Sequence, residues 1–271
     1  MADPRPITFL SDYGYDDEFA GVCRAVIAQI APEALVVDLG QGVPRQDVQA
    51  GALQLERSIP FCSPGVHLAV VDPGVGSARR GVAVMTADEQ RIFVGPDNGL
   101  LWPAVTRFGG PLEAVSLDQS PYRLEPVSAT FHGRDLFAPV AAHLSMGARL
   151  GEAGEQIDPE SMERLALTQA SVEQGRAVTH PIDRDGYGNL ALDLTVEQAG
   201  EAGLEAGGRL VVHAPDGRFE ATWVRTFADV LPGELLLYKD SAGRLALAAN
   251  GGDAAALLTA AVGTELSIEA N

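Results

Sequence analysis

The chain has 271 residues, 46% of them hydrophobic, which excludes a disordered chain and leaves room for a large core in one domain or two. Its net charge of −18, with 37 acidic residues against 19 basic ones and Lys239 as the only lysine, argues against nucleic-acid binding through phosphate neutralisation. No stretch reaches the roughly 18–20 uninterrupted apolar residues of a membrane helix, and Met1 to Pro6 hold no apolar leader, so a cytoplasmic protein with no membrane partner is expected. Cys23 and Cys62 both fall in apolar surroundings and read as buried thiols rather than a disulfide frame. Neither Cys-x-x-Cys nor His-Glu-x-x-His spacing occurs, so no zinc site is expected.

In chain order, residues 7–10 predict a short first strand that ends at Ser11-Asp12. Residues 18–30 predict a helix, with Phe19, Val22, Val26, Ile27 and Ile30 at helical spacing and a stop before Pro32. A second strand over 35–39 and a second helix over 47–59, capped by Asp47, follow. The third strand is the apolar run that ends in Asp72. Residues 82–86 and 92–94 predict a hairpin or consecutive strands, then a helix over 100–108 and a strand near 114–117. A last helix spans 135–146, entered from Phe131-His132-Gly133. Strands alternating with helices predict a layered α/β domain.

Residues 150–175 are rich in Gly, Glu and Gln and read as a connection. Beyond them the pattern changes to short strands over 177–182, 190–194, 209–213, 220–226, 234–238, 245–248 and 266–268, with Asp216-Gly217 as a hairpin turn and one helix over 253–261. The expected architecture is an α/β N-terminal domain over 1–165, layered on a mostly parallel sheet, with a smaller β-rich C-terminal domain over 175–271.

The third strand holds the most informative stretch. Val66 to Val71 form an apolar run bounded by Pro64-Gly65 and Pro73-Gly74, so Asp72 sits at the carboxyl end of a buried strand, where open α/β sheets place ligands. Arg79, seven residues on, is positioned to fold back and pair with it. The bland alternative is a strand end closed by a surface Asp–Arg pair. Asp12 ends the first strand in the same way, and parallel neighbours would bring both carboxylates to one sheet edge. There it can accept hydrogen bonds from a ribose diol, or else cap the following turn. Asp16, Asp17 and Glu18 read as first-turn helix charges. His132 lies at a turn before a helix, whereas His67, His143, His180 and His213 lie within predicted elements and read as structural.

Six segments occur in order: Ser11-Asp12-Tyr13-Gly14 with Asp17 and Gly21; Asp72-Pro73-Gly74-Val75-Gly76 with Arg79; Pro96-Asp97-Asn98-Gly99; Phe131-His132-Gly133-Arg134-Asp135; Asp185-Gly186-Tyr187-Gly188-Asn189; and Ser241-Ala242-Gly243-Arg244-Leu245 with Asn250. Together they resemble the S-adenosyl-L-methionine hydroxide adenosyltransferase family, hydrolytic relatives of the fluorinase and chlorinase. The resemblance implies hydrolysis of S-adenosyl-L-methionine to adenosine and methionine, with Asp72, Arg79 and His132 as the catalytic set. It gives Asp12 to the ribose, Asn189 to the adenine edge, and Asp185 to the methionine end, with Asp183 as an alternative register for that carboxylate. Ser241 matches a position near the methionine carboxylate. Ala242 stands where some relatives carry an arginine. Asp97-Asn98 reads as a loop that supports the site. No cofactor is implied, since adenosylmethionine is the substrate, and the implied assembly is a homotrimer with sites shared between subunits.

A sulfonium is already an activated leaving group, so the chemistry asks only for a water placed in line with C5′ and made more nucleophilic. Alternatives are a halogenase at the same carbon, a non-enzymatic adenosylmethionine binder, a metal-dependent phosphatase built on Asp12, Asp16 and Asp17, and a nicotinamide enzyme. The halogenase is disfavoured because a carboxylate beside the nucleophile repels a halide. The nicotinamide enzyme is disfavoured because Gly74-Val75-Gly76-Ser77-Ala78-Arg79 lacks the third fingerprint glycine.

Overall fold

The strand that ends just before Asp72 lies inside a seven-stranded sheet, as a computed structural model describing residues 3–271 shows. Met1 and Ala2, part of the N-terminal segment read above, lie outside the described residues. Contacts divide the chain into two units, one up to Leu165 and one from Ala166.

The first unit runs β1 (Ile7–Ser11), α1 (Phe19–Ile30), β2 (Val36–Gly40), α2 (Val48–Ser58), β3 (Val66–Val70), β4 (Gly81–Thr86), β5 (Ile92–Pro96), α3 (Trp102–Arg107), β6 (Pro111–Ser116), α4 (Ala138–Ser145) and β7 (Glu155–Ile157). The strand order is β2-β1-β3-β5-β4-β6-β7. Strands β2, β1, β3 and β5 pair in parallel, while β4 and β7 run against their neighbours. The sheet is therefore mostly parallel in strand direction.

Every residue of β1, β3 and β5 is buried, because helices cover both faces. Leu68 and Val70 join one core layer with α1 and α4, while Ala69 and Val71 join the other with α2 and α3. This period-two split explains a sequence that is apolar throughout. Asp47 caps α2 as expected, its carboxylate accepting from Ala50 N at 2.9 Å. On α1 the buried face is Ala20, Cys23, Val26 and Ile27, and Phe19 is left partly exposed. Residues 82–86 and 92–94 form an antiparallel pair. The helix expected over 135–146 opens with a π-helical turn, Gly133–Phe137, before α4.

Residues 150–175 are more structured than a connection. Glu155–Ile157 adds β7 to the sheet edge, and Arg80 Nη2 donates to Ser161 O at 2.7 Å while Glu163 N donates to Asp97 Oδ1 at 2.8 Å. A three-residue strand carries too little alternation to be legible in sequence.

The second unit contains β8 (Ser171–Glu173), β9 (Arg176–Thr179), β10 (Pro181–Arg184), β11 (Leu190–Leu192), α5 (Val196–Glu201), β12 (Arg209–Ala214), β13 (Gly217–Trp223), β14 (Leu235–Lys239), β15 (Leu245–Ala249), α6 (Ala254–Leu258) and β16 (Leu266–Ala270). Its nine strands order as β10-β11-β15-β14-β13-β12-β16-β9-β8, with β13–β14 the parallel pair. Residues 177–182 are two strands rather than one. The break falls at His180, whose backbone N and ring Nδ1 both bond to the Asp193 carboxylate. Since β9 and β10 are consecutive in the chain yet stand near opposite ends of that order, the sheet must curl until its edges approach. The hairpin turn is tight, with Ala214 paired to Gly217 across Pro215-Asp216.

Candidate active site

Two adjacent parallel strands build the site. β1 and β3 pair with Ser11 opposite Val70, so Asp12 and Asp72 leave the sheet at the same edge. Asn98 Nδ2 donates to Val71 O at 2.9 Å and holds the strand end just before Asp72. This is the supporting role expected of the Asp97-Asn98 loop.

From Asp72 the chain reverses through a tight loop. Val75 N bonds to Asp72 O at 3.2 Å, and Ser77 Oγ donates to Gly74 O at 2.7 Å while accepting from Arg79 N at 3.2 Å. Gly76 has φ +76°, and a Cβ there would stand 2.3 Å from Ala129 O, so both the conformation and the close approach demand glycine. The reversal lets Arg79 grip Asp72 with two parallel bonds, Nε to Oδ1 at 3.0 Å and Nη2 to Oδ2. The side chains of Arg79 and Asp72 are only 8% and 6% exposed. The bland alternative of a surface pair does not hold.

His132 completes the group, its Nδ1 lying 3.1 Å from Arg79 Nη2. A guanidinium can only donate, so Nδ1 accepts and the proton of the neutral ring sits on Nε2. Burial, then the neighbouring Arg79 charge, lowers the His132 pKa and favours that neutral ring. Burial raises the Asp72 pKa, opposed by Arg79. Arg79 Nη1 is buried with no hydrogen-bond partner among the described residues. Phe137 stacks beneath the guanidinium, 5.4 Å from Cζ to the ring centroid.

A cavity of about 240 Å³ opens here, lined by Asp12, Asp72 and His132 together with Asp17 and Arg45. Asp12 Oδ2 accepts from Gln46 N at 2.8 Å, which ties the 44–47 loop to the sheet edge. Tyr13 and Phe19 supply an aromatic wall, with ring centroids 5.8 Å apart. Burial drives the Tyr13 phenol far above its ordinary pKa, so it stays protonated. Gly133 meets Tyr13 closely, since a Cβ there would fall 2.1 Å from the phenol oxygen. Asp16, Asp17 and Glu18 are not first-turn helix charges, because α1 starts at Phe19 with Glu18 as its cap residue and no acidic residue in its first turn. Sequence reasoning passed over Tyr13, Phe19, Arg45 and Gln46. The only sequence signal was that Tyr13 lies inside a motif and Arg45-Gln46 directly before the Asp47 cap.

The second unit carries the other expected residues. The Asp185 carboxylate accepts from Tyr187 N and Asn189 N, both at 2.9 Å, and from Asn189 Nδ2 at 2.7 Å, which closes an Asx-type turn. Asp183 is buried within β10, so the turn carboxylate is Asp185. Ser241 is exposed on a turn held by Asp240, whose Oδ1 accepts from Ala242 N and Arg244 N. The register of β11 against β15 continues the Asp185–Asn189 turn toward Ala249, while Ser241 precedes Leu245. Burial raises the pKa of the Tyr238 phenol, and Asp185 and Asp240, the neighbour of Ser241, both act on it and help raise it. Among the described residues no group of three or more His, Cys, Asp or Glu side chains is arranged to hold a metal ion, and no helix is long and apolar enough to cross a membrane.

A carboxylate–guanidinium–imidazole set at a parallel sheet edge, with the carboxylate and the imidazole lining a cavity that has an aromatic wall, is the candidate catalytic cluster. Residues 7–154 match the SAM hydroxide adenosyltransferase N-terminal domain and residues 182–267 the corresponding C-terminal domain, and the chain belongs to that family. A protein named (R)-S-adenosyl-L-methionine hydrolase from Salinispora tropica is 43% identical, with both chains covered completely. A fluorinase from Actinoplanes sp. is 28% identical, over 90% of each chain. The crystal structure of an uncharacterized conserved protein from Thermotoga maritima superposes with a TM-score of 0.88 at 34% identity, covering 97% of this chain and 99% of that one.

Proposed function

We propose that this protein hydrolyses S-adenosyl-L-methionine to adenosine and L-methionine, by attack of water on the ribose C5′. The observation that carries this is the Asp72–Arg79–His132 cluster, whose Asp72 and His132 line the cavity while Arg79 bridges them from behind, its buried Nη1 without a hydrogen-bond partner among the described residues. Because His132 Nδ1 is taken by Arg79, the ring offers only Nε2–H, a donor. Arg79 Nη1 and His132 Nε2–H are then suited to hold an oxygen on which negative charge develops. Asp72 is left as the proton acceptor, and its raised pKa improves it as a base near neutral pH. The water O–H bond breaks toward Asp72, the O–C5′ bond forms, and the C5′–S electron pair leaves on sulfur as methionine.

In the same proposal Asp12 holds the ribose diol, Asn189 the adenine edge, and Asp185 and Ser241 the methionine end. No cofactor takes part. The assembly is a cytoplasmic homotrimer, supported by the family resemblance and by the split of these residues between the two units.

The printed name of the Salinispora tropica relative specifies the (R) sulfonium, and the same epimer preference is proposed here. The test is incubation with the (R,S) mixture in heavy-oxygen water containing chloride. Adenosine should carry the label at its 5′-oxygen, with the (R) epimer consumed first. A main product of 5′-chloroadenosine, or no product, would overturn the proposal.

A further inference from the structure

The cavity next to the cluster holds one positive charge that the proposed chemistry does not use. Arg45 lines it from the loop between Val43 and α2, alongside Asp12, Asp17, Asp72 and His132. No described residue is hydrogen-bonded or ion-paired to the Arg45 guanidinium, although Asp12 and Asp17 line the same cavity.

The backbone that presents Arg45 is held in place. Gln46 takes a left-handed φ of +63°, which is uncommon for a residue with a side chain. Its N–H donates to Asp12 Oδ2 at 2.8 Å, and on the next residue Asp47 N donates to Pro44 O at 3.0 Å while the Asp47 carboxylate caps α2. Arg45 therefore stands on a loop fastened to the sheet edge and to a helix start, with its side chain free.

The charges around the cavity can be set against those of the ligand. Asp72 is matched by Arg79, and His132 is neutral. That leaves Asp12 and Asp17 negative and Arg45 positive, one net negative charge. Adenosylmethionine carries a sulfonium, an ammonium and a single carboxylate, one net positive charge. The carboxylate has one unmatched cation among the lining residues to meet. A planar guanidinium can meet it with two parallel hydrogen bonds.

We infer that Arg45 is the counter-charge for the substrate's α-carboxylate, and so determines specificity for sulfoniums that carry an amino-acid carboxylate. This rests on the hydrolase proposal above. It adds that a sulfonium without the carboxylate is a poor substrate because Arg45 is then left unmatched.

The experiment compares kcat/KM for S-adenosyl-L-methionine with that for its decarboxylated analogue, in the parental chain and in the Arg45→Gln and Arg45→Lys variants. The parental preference for the carboxylated substrate should be roughly tenfold or more, as for a charge-assisted hydrogen bond to a partly exposed group. In Arg45→Gln that ratio should fall close to one, and in Arg45→Lys it should be intermediate, because a point charge keeps attraction without the fork. An unchanged ratio in Arg45→Gln overturns the inference, including the case in which both substrates slow equally because Arg45 touches the adenosyl half. A failure of the hydrolase proposal shows separately, as absence of adenosine from the parental chain with either substrate.

Discussion

At the scale of single residues the site is a chain of matched donors and acceptors whose order sets the roles. Arg79 grips Asp72 through Nε and Nη2 and reaches His132 Nδ1 with the same Nη2. Arg79→Ala and His132→Gln should each lower kcat by about 10²–10³ with little change in KM, because in the proposed reaction their donors serve the oxygen and not the bound sulfonium. Asp12→Ala should chiefly raise KM. Near-parental turnover in His132→Gln would remove it from the catalytic set. The pH profile follows from the same groups. Asp72 is raised above 3.8 and must be ionised, while His132 is lowered below 6.5 and must be neutral, so activity should fall on the acid side, with its midpoint above 3.8. Asp135 and Asp118 also face His132 and oppose its lowering. An acid limb centred below 3.8 would contradict the Asp72 shift.

At the scale of elements, β1, β3 and β5 are joined by a buried polar network as well as by their ladders. His67 in β3 lies 2.9 Å through Nδ1 from Thr8 Oγ1 in β1, and its Nε2 lies 3.3 Å from Arg91 Nη1 at the start of β5. Arg91 can only donate, so Nε2 accepts and Nδ1–H donates to Thr8. Burial, with help from Arg91, pushes the His67 pKa down to about 3 from 6.5. In the unfolded chain the ring takes a proton as pH drops below 6.5, while the folded chain refuses it until about 3. The folded state is therefore favoured in full above 6.5 and loses stability as pH falls through that window. The full loss is on the order of 3–5 kcal/mol. Urea unfolding at neutral pH and near pH 4 should show a smaller pH-dependent loss in His67→Gln than in the parental chain. Parallel losses in the two would rule out His67 as a source.

At the scale of the whole molecule, the proposed residues are shared out between the two units. Asp12, Asp72, Arg79 and His132 fall before Leu165, and Asp185, Asn189 and Ser241 fall after Ala166. In the proposed trimer a closed ring gives equivalent sites, each drawing on two chains. Protomers inactivated by Asp72→Ala and by Asn189→Ala can be unfolded and reassembled together in equal amounts. Random assembly should restore roughly a quarter of parental activity, since each site needs one intact contribution from each of two chains. No recovery in mixed trimers confirmed by native mass would rule out the shared site.

What the sequence alone determined is what depends on neighbours in the chain. The apolar run into Asp72, the parallel strand ends that carry Asp12 and Asp72, the Asp47 cap and the Arg79 fold-back are all local patterns, and six ordered motifs were enough to indicate the family. The Asx-type turn of Asp185 is a local pattern of the same kind, because its bonds close within five residues. The helix α5 was missed although Thr195 and Gln198 form a reciprocal capping box, since six residues give too short a period. Only the tertiary structure decided the rest. The curl that brings β9 and β10 back together from near opposite ends of one sheet order depends on pairings far apart in sequence. Asp17 and Arg45 came to line the cavity because β1 and α2 fix their loops to one sheet edge, with Phe19 at the start of α1 beside them, and no periodicity reports where a loop is carried. The proton on His132 was settled by contact with Arg79, 53 residues away. A hydrogen bond at that separation exists only once the core has placed the loop that carries Arg79 beside the helical turn that starts at Gly133.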